Sequence, residues 1–205
     1  MSRYIDLSLS FDGKFRYPMS TKMERTYEKD RMQLTSYTVS AHSYTHLDAP
    51  LHMAGPDKKS ITDYPVEYFI GEASLINLPR GRNEPITGND LELGGKHCKD
   101  GDIVFIRTGW LEKMWGKEIF IDSPYLTEDA ADWLVKLKAR IAGYDFNHDH
   151  TEDYTIHRIM LANEVLNLEY VNHLSLIDVP RFQVFALPIK FQDFDGAPCR
   201  PVAVL

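Results

Sequence analysis

The chain is poor in everything that crosslinks, anchors or exports a protein. Its 205 residues include only two cysteines, Cys98 and Cys199, far apart in sequence. So small a number does not make a disulfide framework, and two ordinary thiols in a reducing compartment are the expectation. No stretch approaches the ~20 consecutive apolar residues of a membrane-spanning helix. The start, Met1-Ser2-Arg3-Tyr4-Ile5-Asp6, lacks the apolar core of a signal peptide. A soluble, cytoplasmic protein with no membrane partner is expected. Positive charge is also short, with 23 Lys and Arg against 30 Asp and Glu and a net charge of −7. That balance argues against a nucleic-acid surface. There is no G-x-S-x-G elbow, no phosphate-cradling G-x-x-x-x-G-K and no G-x-G-x-x-G after a strand. Neither cysteine sits in a nucleophile signature, so serine and cysteine hydrolases are disfavoured. Repeats, low-complexity tracts and Ser/Gly linkers are missing as well, and a single domain over 1–205 is expected.

What the chain does have is a concentration of metal-ligand chemistry. The run His42-Ser43-Tyr44-Thr45-His46-Leu47-Asp48-Ala49-Pro50-Leu51-His52 holds three of the eight histidines and one carboxylate. Neutral imidazole and carboxylate are the usual ligands of a borderline divalent metal such as zinc, manganese or iron(II). A solvated loop would not interleave four such residues with Thr, Ala, Pro and Leu. Spacing constrains the shape. On a helix, Asp48 would sit about 200° around from His46. On a straight strand, His42 and Asp48 would lie ~20 Å apart. Ligands of one metal must converge within a few ångströms, so the segment must bend. The reading is a strand, roughly 35–41, running into an irregular metal-binding loop that Pro50 keeps out of regular helix.

Elsewhere, β-branched and aromatic runs bounded by Gly, Pro or Asp predict strands at 5–9, 34–41, 73–78, 103–107, 140–146 and 182–187. Residues 127–139 read as a helix, with Thr127 as N-cap, Glu128 and Asp129 at its positive end, and an apolar stripe of Ala130, Leu134 and Leu137. A shorter helix is expected at 156–162. Residues 81–95 read as a loop with one helical turn at 89–93. Mixed strands and helices fit α/β layering.

The pattern H-x-x-T-H-x-D-x-P-x-H resembles the signature of the cyclase-like metal-dependent hydrolases, a family that includes bacterial kynurenine formamidases and isatin hydrolases. Further along, Asp102-Ile103-Val104-Phe105-Ile106-Arg107-Thr108-Gly109-Trp110 is similar to that family's strand ending in R-T-G-W. His157-Arg158-Ile159-Met160-Leu161, Leu166-Asn167-Leu168-Glu169 and the closing Gly196-Ala197-Pro198-Cys199-Arg200-Pro201-Val202 match its later elements, in order. One position departs: the family has Gly two residues after the first His, and this chain has Tyr44. A bulky side chain there either lines the pocket or takes an altered backbone angle.

The resemblance implies a swivelling β/β/α fold with a mixed sheet, a homo-oligomer, most simply a dimer, and a small-molecule amide substrate. It also places His157 and Glu169 beside the metal. By their own context the two could equally be a partly buried helix residue and a solvated strand residue. The expected metal ligands are therefore His42, His46, Asp48, His157 and Glu169, holding one or two divalent ions, Zn2+ or Mn2+, with Asp48 bridging if there are two. The expected chemistry is hydrolysis of an aryl formamide or small cyclic amide by a metal-activated water. His52, beyond the compact His-x-x-x-His-x-Asp group, would shuttle the proton. The alternatives are a cyclase or isomerase acting on a small acid, and a metal-bearing binding protein without turnover. Asn147-His148-Asp149-His150 follows a predicted strand, a common place for sites, but is equally an ordinary polar loop. His97 and His173 read as structural or surface residues. Trp110, Trp115, Phe15 and Tyr17 read as core aromatics, although the resemblance implies that some aromatic residue stacks on the substrate ring.

Overall fold

The computed structural model describes residues 2–13, 17 and 19–205, so Phe15 lies outside the described residues. The strands are β1 (Tyr4–Asp6), β2 (Ser20–Arg25), β3 (Leu34–Thr38), β4 (His46–Asp48), β5 (Ile70–Asn77), β6 (Pro85–Ile86), β7 (Ile103–Arg107), β8 (Tyr125–Leu126), β9 (Ile141–Tyr144), β10 (Leu166–Glu169), β11 (Arg181–Phe185), β12 (Gly196–Pro198) and β13 (Val202–Val204). The helices are α1 (Tyr27–Asp30), α2 (Gly88–Gly94), α3 (Trp110–Met114), α4 (Glu128–Lys136) and α5 (Thr155–Ala162).

Nine strands form one mixed sheet in the order β1-β13-β11-β5-β7-β9-β10-β4-β12. The central β5, β7, β9 and β10 are parallel, and antiparallel strands extend both sides. A strand buried on both faces reads as an unbroken apolar run, and β7 shows why. Ile103 and Phe105 enter one core, while Val104 and Ile106 enter the other. The second core is closed by Leu91 of α2, Ala130 and Leu134 of α4, and Ile156 and Met160 of α5. The first is shared with the antiparallel flanks through Ile5, Leu47, Val184 and Ala203. Gly143 on β9 makes this packing possible, because a Cβ there would stand 2.6 Å from the Phe105 ring.

The expected α/β class is what the chain adopts, with differences in detail. Residues 81–95 contain a true helix, α2, begun by a reciprocal capping box in which Thr87 and Asp90 each bond the other's backbone N–H. Thr127 precedes α4 as expected, but its Oγ1 donates to Ile86 O and Asp129 Oδ1 instead of capping the helix. β3 stops at Thr38 and, among the described residues, pairs only with β2 in a separate hairpin. His46–Asp48, expected in an irregular loop, is a strand, β4. The bend that spacing requires falls earlier, in the turn between His42 and His46.

β7 and β9 are tied together at their ends by Asp145, whose buried carboxylate accepts from Thr108 N and Oγ1 (both 2.7 Å) and Gly109 N (2.6 Å). Burial nonetheless raises this carboxyl to about 6. Removing the acceptor strands buried donors, at about 1–3 kcal/mol each. Asp145→Ala is therefore expected to lower stability by about 2–4 kcal/mol in urea titration. A change below about 0.5 kcal/mol would mean that these donors find other partners.

Candidate metal centre

The antiparallel pairing of β4 with β10 sets the site. Glu169 stands opposite His46 and Asn167 opposite Asp48, while Leu168 faces Leu47. With a two-residue period, Leu47 and Leu168 enter the first core, and His46, Asp48, Asn167 and Glu169 share the opposite face. The preceding turn places the remaining ligand candidates. Tyr44 takes a left-handed backbone, φ 57°, and its carbonyl accepts from His46 Nδ1 at 2.7 Å. His46 Nε2 then faces Asp48 at 3.2 Å and Glu169 at 3.7 Å. His42 folds back so that Nδ1 lies 2.7 Å from Asp48 Oδ1 and Nε2 lies 2.9 Å from Asp195 Oδ2. Only glycine fits beneath that ring: a Cβ at Gly196 would meet His42 Cε1 at 2.7 Å. The short 3-10 turn Pro50–His52 lays the His52 ring on that of His42, with centroids 3.8 Å apart. His52 Nδ1 lies 3.3 Å from the same Asp195 oxygen.

A second group faces the first across Glu169. His157, from α5, has Nε2 3.1 Å from Glu169 Oε1. Its Nδ1 lies 2.8 Å from Asp149 Oδ2, which also accepts its backbone N–H. A carboxylate on the far nitrogen is the usual way to orient a ligand imidazole. His148 completes the group: the donor atoms of His148, His157 and Glu169 lie within 4.8 Å of one another, as do those of His42, Asp48 and His52.

Electrostatically, the site is a nest of buried carboxylates in need of cations. Burial disfavours charge on His42, but Asp48 and Asp195 outweigh it and hold the imidazole at about 9. The same contest, with Asp149 and Glu169 as partners, holds His157 at about 10. Burial would raise Glu169, yet His157 and its neighbours bring it down to about 2. His148 goes the other way, pushed to about 4 by complete burial and by the His157 charge. His52 is also lowered, chiefly by burial. The donor set of imidazoles and carboxylates suits divalent transition metals. The ring nitrogens of His148, wholly buried without a hydrogen bond, are the kind of orphan a cation would satisfy. The residues present therefore fit the metal that the sequence implies.

All five expected ligands and His52 line one cleft of about 670 Å³. Two sequence readings change. His52 is not set apart from the ligands, since its donor nitrogen falls among those of His42 and Asp48. Asn147-His148-Asp149-His150 is no ordinary polar loop, because His148 and Asp149 are buried and His150 lines the cleft. Asp149 belongs to that segment, whereas Asp195 has no motif of its own in the sequence. It immediately precedes the recognisable Gly196-Ala197-Pro198 element. Tyr44 does not line the cleft; it takes the altered backbone angle and is buried with Leu9, Leu111 and Tyr170. Trp110 is a core residue whose Nε1 donates to Phe120 O. Trp115 packs against Tyr44, Phe120 and Tyr170, and Tyr17 reaches the cleft. His97 and His173 bond backbone carbonyls of Leu75 and Asp6, as structural residues do.

Comparison with known proteins bears on the family and the fold. The profile of the Cyclase family, described as "Putative cyclase", matches residues 5–150. The kynurenine formamidase of Bacillus cereus is 29% identical over 196 residues, covering 93% of this chain and 88% of that protein. Isatin hydrolase A from Labrenzia aggregata superposes with a TM-score of 0.89 at 20% identity, covering 100% of this chain and 94% of the other. A structure described as a potential metal-dependent hydrolase with cyclase activity gives 0.81 at 22%, covering 100% and 98%. These two superpositions establish the fold. The chain belongs to the cyclase family.

Ligand imidazoles must be neutral, so metal loading releases protons. With His42 and His157 held at about 9 and about 10, both are protonated at pH 7 in the metal-free protein. Zinc calorimetry in two buffers of different protonation enthalpy should give about two protons released per fully loaded chain. Affinity should weaken as pH falls. Release near zero would mean that these imidazoles are already neutral in the metal-free protein or do not bind the metal.

Proposed function

We propose that the protein hydrolyses the C–N bond of an aryl formamide, of the kind kynurenine formamidases act on, or of a small cyclic amide such as isatin. It is a metal-dependent hydrolase of the cyclase family; the substrate is the step taken here. One observation carries the reading: the imidazoles and carboxylates of His42, His46, Asp48, His52, His157 and Glu169 all line one cleft. The cleft wall, with Tyr17, Met53, Ile121 and Tyr154, offers flat and apolar surface to an aryl group.

In this reading His42, His46 and Asp48 hold one divalent cation, and His157 and Glu169 serve a second. Such a cation supplies Lewis acidity, making a water acidic and polarising a carbonyl oxygen. The chain supplies orientation and proton transfer. Asp149 aligns His157, and the Tyr44 carbonyl fixes which nitrogen of His46 faces the cleft. His52, held through Nδ1 by Asp195, takes a proton from the attacking water at its other ring nitrogen and returns it to the leaving nitrogen. The C–O bond forms from the water oxygen and the C–N bond breaks; a formamide gives formic acid and an amine, and a cyclic amide opens to one product that carries both the carboxylic acid and the amine.

A panel of N-formylkynurenine, isatin and simple cyclic imides, each with and without zinc or manganese, tests the substrate class. Turnover of none of them under any metal would refute it. His52→Ala should keep bound metal yet lose about 10²–10⁴ in rate. Loss of metal together with activity would instead make His52 a ligand. Turnover within about threefold of wild type would remove it from catalysis.

We further propose that the protein acts as a homo-oligomer, most simply a dimer. Every residue of β2, α1 and β3 is exposed, Met23, Tyr27, Leu34 and Tyr37 among them. A lone two-stranded hairpin is marginally stable in water, and an apolar arm of this kind is supported by a second copy. Light scattering at micromolar concentration should give at least twice 23.6 kDa. A fully active monomer would overturn this.

A further inference from the structure

Of the polar groups at the site, His148 is the least explained by folding alone. It follows β9 in the segment Asp145-Phe146-Asn147-His148-Asp149 and is 0% exposed. Among the described residues, neither ring nitrogen has a hydrogen-bond partner. Buried polar groups almost always find partners, and an orphan costs about 1–3 kcal/mol. A histidine with only a structural role would normally be tied to a carbonyl, as the half-buried His97 and the exposed His173 are.

The surroundings of the ring give it a task. One face stacks on Tyr144, with centroids 4.4 Å apart and planes 15° apart, which fixes the plane of the imidazole. The His157 ring lies 4.3 Å away, centroid to centroid. His148 Nδ1 stands 3.3 Å from Glu169 Oε1 without the alignment of a hydrogen bond. The same Glu169 oxygen is 3.1 Å from His157 Nε2. Three donor atoms thus converge, two of them on one carboxylate oxygen, and all lie within 4.8 Å of one another.

We propose that His148 is a ligand of the second cation, so that this ion is held by His148, His157 and Glu169 while His42, His46 and Asp48 hold the first. The assignment rests on the metal-hydrolase reading only in requiring that cations bind. Two imidazoles and one carboxylate make a nitrogen-rich set that selects zinc, cobalt or iron(II) over magnesium or calcium. Asp149 on the far nitrogen of His157, and the Tyr144 ring against His148, orient both imidazoles before any ion arrives.

The test is metal binding to the whole chain, read without reference to turnover. Wild type, His148→Ala and His148→Asn are stripped, loaded with Zn2+ or Co2+, dialysed and analysed for ion equivalents per chain. Affinity is measured by calorimetry and melting is followed with and without metal. Wild type should hold two equivalents. Losing a direct ligand should cost at least what losing an orienting partner costs, about 10- to 100-fold in affinity. The variants should therefore keep one tight ion and hold the second weakly, with a changed visible spectrum of bound Co2+ and a smaller metal-induced rise in melting temperature. Two ions bound at unchanged affinity would overturn the proposal, even if the metal-free variants melt lower. Should both variants fail to fold, anomalous diffraction from zinc-loaded wild type decides the matter. An ion about 2.0–2.1 Å from a His148 nitrogen supports the assignment, and ions bound with that ring uncoordinated refute it. Wild type that binds no ion would sink the metal-hydrolase reading as well, whereas ions bound without His148 sink this assignment alone.

Discussion

The antiparallel register between β4 and β10 is the constraint on which the centre depends. It sets Glu169 opposite His46 and Asn167 opposite Asp48, on the face away from the core that Leu47 and Leu168 fill. A slip of one residue would drive the imidazole and carboxylates into that core and bring the leucines out. Burying a Leu side chain is worth roughly 1.5–3 kcal/mol, and burying an unpaired charge costs more than that. The same apolar packing that makes the sheet thus makes a polar face in one register only. β12 extends the arrangement from the other edge of β4, with Gly196 opposite Asp48 and too small to displace the His42 ring.

Around that face the carboxylates Asp48, Asp149 and Glu169 are buried, and Asp195 lies at the rim against His42 and His52. Buried carboxylates are tolerated only when paired. Here imidazoles pair them, and the upward pull on His42 and His157 shows positive charge drawn into the site. Protons and divalent cations compete for that place. His148 stands outside the competition for protons, since complete burial keeps its ring neutral at physiological pH. Its lone pair is available from the start, whereas His42 and His157 must first lose a proton.

The sequence is legible where a local pattern has one physical reading. The β7 run Ile103-Val104-Phe105-Ile106 is apolar at every position because both faces are buried, and its bounds match the expectation. The motif from His42 to His52 is legible as chemistry for the same reason, since no solvated segment needs that composition. Its shape was harder to read. Three residues, His46–Asp48, are too few to show alternation, and their strand character comes from β10 and β12 on either side. Glu169 is buried among residues distant in sequence, with His46 of the paired β4 and His157 of α5 beside it, so its own neighbourhood could not distinguish a ligand from a solvated residue. His148 and Asp149 are of the same kind. In sequence they sit between Asn147 and His150, in what reads as a polar loop, and it is the packing of α5 and β10 that turns them inward.

Tyr44 shows how local strain and the site are joined. A non-glycine residue at φ 57° costs about 1–2 kcal/mol in the left-handed region. Glycine would adopt that angle freely, so retaining a tyrosine requires compensation from its side chain. The ring is fully buried, 4.5 Å from Phe11, and its hydroxyl accepts from Gly13 N at 2.7 Å. Burial of an aromatic side chain is worth roughly 1.5–3 kcal/mol, enough to offset the backbone term. The ring therefore holds a turn that glycine would leave looser, and that turn aims the Tyr44 carbonyl at His46 Nδ1. With Nδ1 engaged, only Nε2 of His46 can face Asp48 and Glu169. The bulky residue thus bears on the cleft through its backbone carbonyl, while its ring stays outside the cleft, in the core with Leu9, Leu111 and Tyr170.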